Sequence, residues 1–559
     1  MLLDLAAPAP AGARPVGAAF ASRSAVLAAN GAAATTNPLA SATAIDVLRR
    51  GGSALDAALA ANAVLAVVEP FNTGPGGDVF AIVWDPRESR LQGYNGSGRA
   101  PASGSLRELR RAIGAQATLV PGRGAHSVTV PGAVEAWTAL HARFGRMPFA
   151  EVLAPAIAYA SEGFPVAPVA ARLWSDNGLG VPRTDAAFAA FHATFMPDGR
   201  APRAGERFRN PAFAESLRAI ASGGAAGFYR GAIGARIVAT LRAGGSAMQA
   251  ADLATHRGDW VEPASVDYRG YRVHELPPNT QGGVVLQVLK LLEGYDLRAL
   301  GPGSADYAHL LVESLKLAWE DRADHYADPA SAPPLAPLLS AAHADARRAL
   351  IDPTRARATR GAVPTQSHTT CLSVADRDGM IVSLISSVFD GFGSALVPEG
   401  LGFVLQSRAA GFSLQDGHPN AWTPGRRPLH TIIPAFVTRD GAPWLSFGVL
   451  GGSFQPQGHV QILVNQIDFD MDPQEAGDAP RIAISGGPDP WNPGGGAPHR
   501  VHVEPAVPEG LVEALRARGH EVLRGGMFFG GYSGIRRDTA SGVYAAAAEM
   551  RMDGCAAGY

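Results

Sequence analysis

The residues with the most direct chemical potential stand together at His368-Thr369-Thr370-Cys371-Leu372-Ser373. A threonine hydroxyl is a weak nucleophile while it keeps its proton. A chain cut between His368 and Thr369 gives Thr369 an α-amine as well, and that amine can take the hydroxyl proton as general base. Such a site requires an exposed, weakly structured stretch before the cut and a rigid strand after it. Residues 330–366, rich in Ala, Arg and Pro with weak periodicity, read as the exposed connector. Residues 370–375 alternate as a strand does. The plain alternative for the Thr-Thr pair is a strand with no chemistry.

The elements around this junction are legible. Asp376-Arg377-Asp378-Gly379 is a turn, and residues 380–387 read as the returning strand. Pairing Ala375 with Met380 puts Thr369 opposite Ser386, with Ser387 adjacent. Residues 79–84, 429–437, 444–449 and 543–547 read as further strands. Asn37-Pro38 caps and opens a helix that Arg49-Arg50-Gly51-Gly52 closes. Ser53 and Asp56 form a capping box for a second helix through about Val68, apolar nearly all round and therefore buried. Val130-Pro131-Gly132 leads into a helix ending at Phe144, and 308–324, 457–466 and 508–518 are helical. The chain is a mixed α/β protein.

Composition narrows the function. With 559 residues, 47% hydrophobic and 18% charged, the chain folds compactly, and its 66 glycines and 43 prolines mark turns. A formal charge of −2 offers no field for nucleic acid or an anionic membrane. Lys290 and Lys316, the two lysines, lie outside any phosphate-binding loop motif. Cys371 and Cys555 make neither a disulfide framework nor a paired-cysteine metal site. Residues 1–20 read as a loose Ala/Pro-rich arm without an export signal. The longest apolar stretch, 57–68, is too short to span a bilayer. The expected location is cytoplasmic, with the periplasm as alternative. No cofactor and no metal are expected.

The segment His368-Thr369-Thr370-x-x-Ser373-Val374-x-Asp376-x-Asp378-Gly379 resembles the start of the small subunit in the γ-glutamyltransferase family. These are N-terminal-nucleophile hydrolases made as one chain that cuts itself. Other matches follow in family order: Gly51-Gly52 with Asp56, Gly74-Pro75-Gly76-Gly77, Val130-Pro131-Gly132, and Pro277-Pro278 with Gly282-Gly283. Glu313 with Asp321-Arg322 and Asp328-Pro329, then Gly451-Gly452-Ser453 and a final Gly558-Tyr559, complete the set. The resemblance implies a four-layer αββα sandwich, one compact unit built from a large segment, 21–368, and a small segment, 369–559. It implies cleavage between His368 and Thr369 and self-association of the two pieces, with a homodimer of processed pairs as a further possibility. It also implies Thr369 as nucleophile, Gly451 and Gly452 as oxyanion donors, and Ser387 as the hydroxyl beside the nucleophile. Arg99 matches the arginine that holds the donor's carboxylate.

The departures from the family pattern concern the substrate. Positions that hold the glutamyl α-amine in the transpeptidases are here Phe389, Arg408 and Gly411, and a serine pair falls on His430-Thr431. An ammonium beside Arg408 without an acceptor is costly when desolvated. The expected substrate is therefore a small amide whose acyl group carries a carboxylate and no α-amine: glutaryl, succinyl or oxalyl. This resembles the glutaryl-cephalosporin acylase and oxamate amidohydrolase branches. The alternatives are a γ-glutamyl transferase or glutathione hydrolase with a rebuilt pocket, an uncleaved binding protein, and an Arg408 that merely pairs with Asp416. His499, His502 and Glu504 read as structural because strand alternation splits them. The glycines at 525–526 and 530–531 read as turns, and Cys371 as a small buried filler.

Overall fold

The computed structural model describes residues 18–114, 116–358, 368–492 and 498–559. Two seven-stranded antiparallel sheets lie face to face. The first runs Cys555–Gly558, Ala32–Thr35, His368–Ala375, Ile381–Phe389, Asp78–Asp85, Arg90–Asn95, Asp259–Val261. The second runs Val26–Ala28, Tyr544–Ala548, Gly531–Arg537, Ala442–Leu450, Ala435–Arg439, Tyr271–Glu275, Ala264–Tyr268.

Three hydrophobic layers hold the stack. Phe80, Ile82, Cys371 and Ile385 meet Phe436, Leu450 and Ile535 between the sheets. The outer face of the first sheet, with Val79, Ala81, Val83 and Leu384, packs on helices Ala54–Val68 and Ala133–Phe144. The outer face of the second, with Val273, Val437 and Phe447, packs on Gly282–Leu292, Ala305–His325 and Gln455–Ile467. The order is the four-layer αββα sandwich of N-terminal-nucleophile hydrolases. It also explains the unbroken apolar run at 79–84: alternate side chains enter different cores, so neither face is polar. Strands from both sides of Thr369 interleave in each sheet, so neither segment has a complete sheet alone.

The helix ends follow the local chemistry. Asn37 caps Pro38–Arg49, and Ser53 and Asp56 form the reciprocal capping box of Ala54–Val68, every residue of which is buried. Three expectations change. Residues 429–434 do not join a ladder, and the strand is only Ala435–Arg439. Their backbone groups go elsewhere: Leu429 N donates to Asn420, His430 N to Asn279 O and Ile433 N to Gln455 Oε1. The connector is more structured than its composition indicates, with helix Ala341–Arg348 capped by Ser340. Arg347 pairs with Asp321, and Arg348 donates to the Leu291 carbonyl at 3.0 Å. Its end, 359–366, lies outside the described residues. So does most of the N-terminal arm, but Ala18 N donates to Glu475 Oε1 at 2.7 Å, docking the arm's last residues. No helix among the described residues is long and apolar enough to cross a membrane.

Candidate active site

Thr369 enters the first sheet at an irregularity. Ala375 pairs with Ile381 and Thr370 with Ser386, while His368 pairs with Phe389, so the returning strand carries an extra residue, Ser387 and Val388 standing opposite Thr369. The expected register is one residue off, and Thr369 falls beside Ser387 instead of Ser386. A β-bulge of this kind re-aims a side chain at the end of a ladder. On its other edge Ser387 pairs with Asp78. The loop before Asp78 approaches closely: a Cβ at Gly77 would stand 2.5 Å from the Ser387 carbonyl oxygen, so only glycine fits. Thr369 is fully buried in the unbroken chain, and Gln455 Nε2 donates to its Oγ1 at 3.4 Å.

Beside it lies a buried cation. Arg408 is 0% exposed; its Nη1 donates to Thr431 Oγ1 at 2.9 Å and its Nη2 to Ser387 Oγ at 3.0 Å. The guanidinium lies 4.2 Å from the Phe389 ring centroid. Phe389 itself has φ 78°, a left-handed conformation that costs a residue with a Cβ roughly 1–3 kcal/mol. Nε of Arg408 has no partner, and no carboxylate of the described residues is within ion-pair reach. Asp416, the alternative partner, pairs with Arg110 at 2.9 Å.

Two carboxyls act on this cation through space, Asp78 and Asp390. Burial pushes Asp78 up to about 7, against the opposing pull of Arg408 and of backbone N–H groups. Burial likewise pushes Asp390 up to about 6. Asp78 Oδ1 accepts from Gly98 N and Gly132 N, both at 3.1 Å, so the carboxyl also fixes two glycine turns. Its Oδ2 lies 3.1 Å from His430 Nε2. Ile432 N donates to His430 Nδ1, which leaves Nε2 as the protonated, donating nitrogen. Burial and the nearby Arg408 hold His430 well below its usual range, so the imidazole is neutral. Burial also draws the Arg408 guanidinium downward.

The glycine loop sits at the head of helix Gln455–Ile467. Gly451 has φ 122° and Gly452 φ 60°, both in the region that favours glycine. A Cβ on Gly451 would also stand 3.0 Å from Gly530 Cα. The carbonyl of Gly451 accepts from Phe454 N, which folds the loop into the turn that leads the helix.

Arg99 is placed differently. It is 37% exposed and already faces Asp259 at 3.4 Å and Asp328 at 3.7 Å. The structure therefore gathers Thr369, Ser387, Phe389, Arg408, His430 and Thr431, while Arg99 stands in a carboxylate-rich corner shared with Arg427. The side chain of His368 lies outside the described features.

The remaining candidates resolve as follows. His502 bonds Ser485 and the Gly525 carbonyl, and Glu504 pairs with Arg551. Cys371 is buried between the sheets, where burial pushes its thiol up to about 12. Gly525, Gly526 and Gly530 have φ of 66°, 70° and 73°, as turns require, whereas Gly531 opens strand Gly531–Arg537 and pairs with Leu450. His309, Glu313 and His520 do bring ligand-type atoms within 4.8 Å of one another. Hydrogen bonds already satisfy them: His309 Nδ1 meets His520 Nε2 at 2.8 Å, and the Lys316 ammonium meets Glu313 Oε1 at 2.7 Å.

Asp78, Asp390, Gln281 and Gln455 are the site neighbours that sequence reading does not single out. Asp78 had a signal, a lone acid at the head of an apolar run. Gln455 follows Gly451-Gly452-Ser453 at the helix start, where a polar residue is unremarkable.

Residues 40–559 match the family model described as Gamma-glutamyltranspeptidase. The chain is 37% identical over 530 residues to the "Glutathione hydrolase-like YwrD proenzyme" of Bacillus subtilis, covering 93% of this chain and 97% of that one. It is 35% identical over 533 residues to the "Acylase ACY 1 proenzyme" of Pseudomonas sp. strain V22, covering 94% and 92%. Among solved structures, a cephalosporin acylase from Bacillus halodurans superposes with TM-score 0.89 at 39% identity, covering 98% of both chains.

Proposed function

This chain belongs to the gamma-glutamyltranspeptidase family, and from that premise we propose that it is a self-cleaving amidohydrolase for acyl groups bearing a carboxylate and no α-amine. The observation that carries the reading is Arg408: a guanidinium with no exposed surface, two hydroxyl partners and no ion pair, beside the nucleophile strand. A buried cation with no carboxylate in direct contact, and only Asp78 and Asp390 acting on it through space, is costly, and an incoming carboxylate relieves that cost. A γ-glutamyl ammonium in the same place would add to it. Relatives and a structural neighbour that bear acylase names support the same reading.

In this proposal cleavage between His368 and Thr369 frees the Thr369 amine. The Thr369 hydroxyl attacks the amide carbon, and the amine takes the hydroxyl proton. Gly451 and Gly452 N–H groups stabilise the oxyanion of the tetrahedral intermediate. Its collapse breaks the C–N bond, and the same proton goes to the leaving amine. Water then hydrolyses the acyl ester on Thr369. Residues 1–368 and 369–559 remain associated, because both contribute strands to each sheet.

The test has two parts. Intact-mass measurement of the purified protein gives two species divided at residue 369, and Thr369→Ala gives one. Turnover of glutaryl-anilide then exceeds that of γ-glutamyl-anilide. A single 559-residue species in the wild type would sink the enzymatic reading, and faster γ-glutamyl release would sink the substrate assignment.

A further inference from the structure

Gln281 precedes helix Gly282–Leu292 and is fully buried. Its Nε2 donates to two carbonyls far from it in sequence, Thr431 O at 2.7 Å and Gly452 O at 2.8 Å. Its Oε1 accepts from Arg322 Nη1 at 2.8 Å. A guanidinium only donates, so the amide cannot be reversed, and both Gln281 N–H groups are committed to the carbonyls. Arg322 is itself fixed by Asp489 and by the ring of Trp319 at 4.1 Å.

The two carbonyls belong to the two halves of the site. Thr431 supplies the hydroxyl that receives Arg408 Nη1. Gly452 lies in the glycine loop, and its carbonyl also accepts from Gln455 N, whose side chain reaches Thr369 Oγ1. Each half is joined to the same amide, so neither can shift relative to the other without stretching or breaking a buried hydrogen bond. We propose that Gln281 is a positioning residue that ties the acyl-carboxylate pocket to the oxyanion loop, so that the carboxylate held at Arg408 raises kcat as well as affinity. The inference rests on the reading of Arg408 and of Gly451–Gly452 given above. Oxyanion donors act only when held within about 0.5 Å of the productive position, which is the precision such a tie supplies.

Gln281→Glu keeps the shape and the acceptor for Arg322 but removes both N–H donors; Gln281→Met is the second variant. With glutaryl-anilide, kcat falls about 10- to 100-fold while KM stays within about threefold, the pattern of an interaction lost in the transition state. A glutaryl-like boronate, which forms a tetrahedral adduct on Thr369, weakens by a similar factor, and glutarate binding holds. Slower self-cleavage at an unchanged Tm also supports the tie, because that step forms an oxyanion too. Unchanged kcat with raised KM, or equal weakening of boronate and glutarate, overturns it. If the wild type shows no preference for glutaryl over γ-glutamyl substrates, the Arg408 reading fails instead. The kcat of Gln281→Glu on whichever anilide is turned over then still decides whether Gln281 serves the oxyanion loop.

Discussion

Arg99 and Arg408 carry the same side chain into opposite environments. Arg99 is 37% exposed and has two carboxylates near it, Asp259 and Asp328. Arg408 is wholly buried and in direct contact with the hydroxyls of Ser387 and Thr431 and the face of Phe389, with Asp78 and Asp390 acting on it through space. Water and carboxylates meet the first directly; no carboxylate of the described residues meets the second directly. The difference teaches that the same side chain can be read for binding only through the charges around it. On the proposed reading it is Arg408, the departure from the pattern, that takes the anion.

Each half of that contrast can be broken. The largest effect is expected at Arg408, since truncating one member of a buried charged pair costs about 2–5 kcal/mol. Arg408→Leu lowers kcat/KM for glutaryl-anilide by at least about 30-fold, at unchanged self-cleavage by intact mass. Arg408→Lys recovers only part of this, because a point charge cannot hold both hydroxyls and a carboxylate in one plane. Arg99→Gln gives a smaller loss, about two- to fivefold and reduced by salt, as an exposed, screened pair does. A loss at Arg99 as large as that at Arg408 would erase the distinction.

The smallest effect is one of pH. Burial raises Asp78 to about 7, above the ordinary carboxylate value of about 4. A raised acid binds more protons folded than unfolded between those values, so its contribution to stability is present at low pH and lost as pH rises through about 7. Asp390, raised to about 6, acts in the same sense. Asp78→Asn keeps an acceptor for Gly98 and Gly132 but cannot ionise. The Tm of the variant relative to wild type therefore shifts in the variant's favour from pH 5 to pH 8. A difference independent of pH would mean that Asp78 stays ionised in the fold.

Much of the sandwich was legible in the sequence because it rests on local rules. Asn37, Ser53 and Asp56 cap helices as their types require, and the strand after Thr369 is set by alternation and the Asp376–Gly379 turn. The register is one residue off from the turn onward, Ala375 pairing with Ile381, because the number of residues a turn takes up is not set by strand alternation. Residues 429–434 look like a strand by composition, but their backbone groups are taken by Asn279, Asn420 and Gln455, partners outside any neighbouring strand. Asp78 and Gln281 were missed for the same reason: each matters through partners between about 20 and 350 positions away, and no spacing rule reaches that far.

The central claim is that the buried cation selects the acyl carboxylate. The direct measurement is a cycle of two enzymes and two substrates: wild type and Arg408→Leu, each with glutaryl-anilide and its uncharged carboxamide analogue. The account predicts a strong wild-type preference for the carboxylate, about 30-fold or more in kcat/KM, that falls close to unity in the variant. A preference that survives in Arg408→Leu would contradict it and place carboxylate recognition elsewhere, with Arg99 first in line.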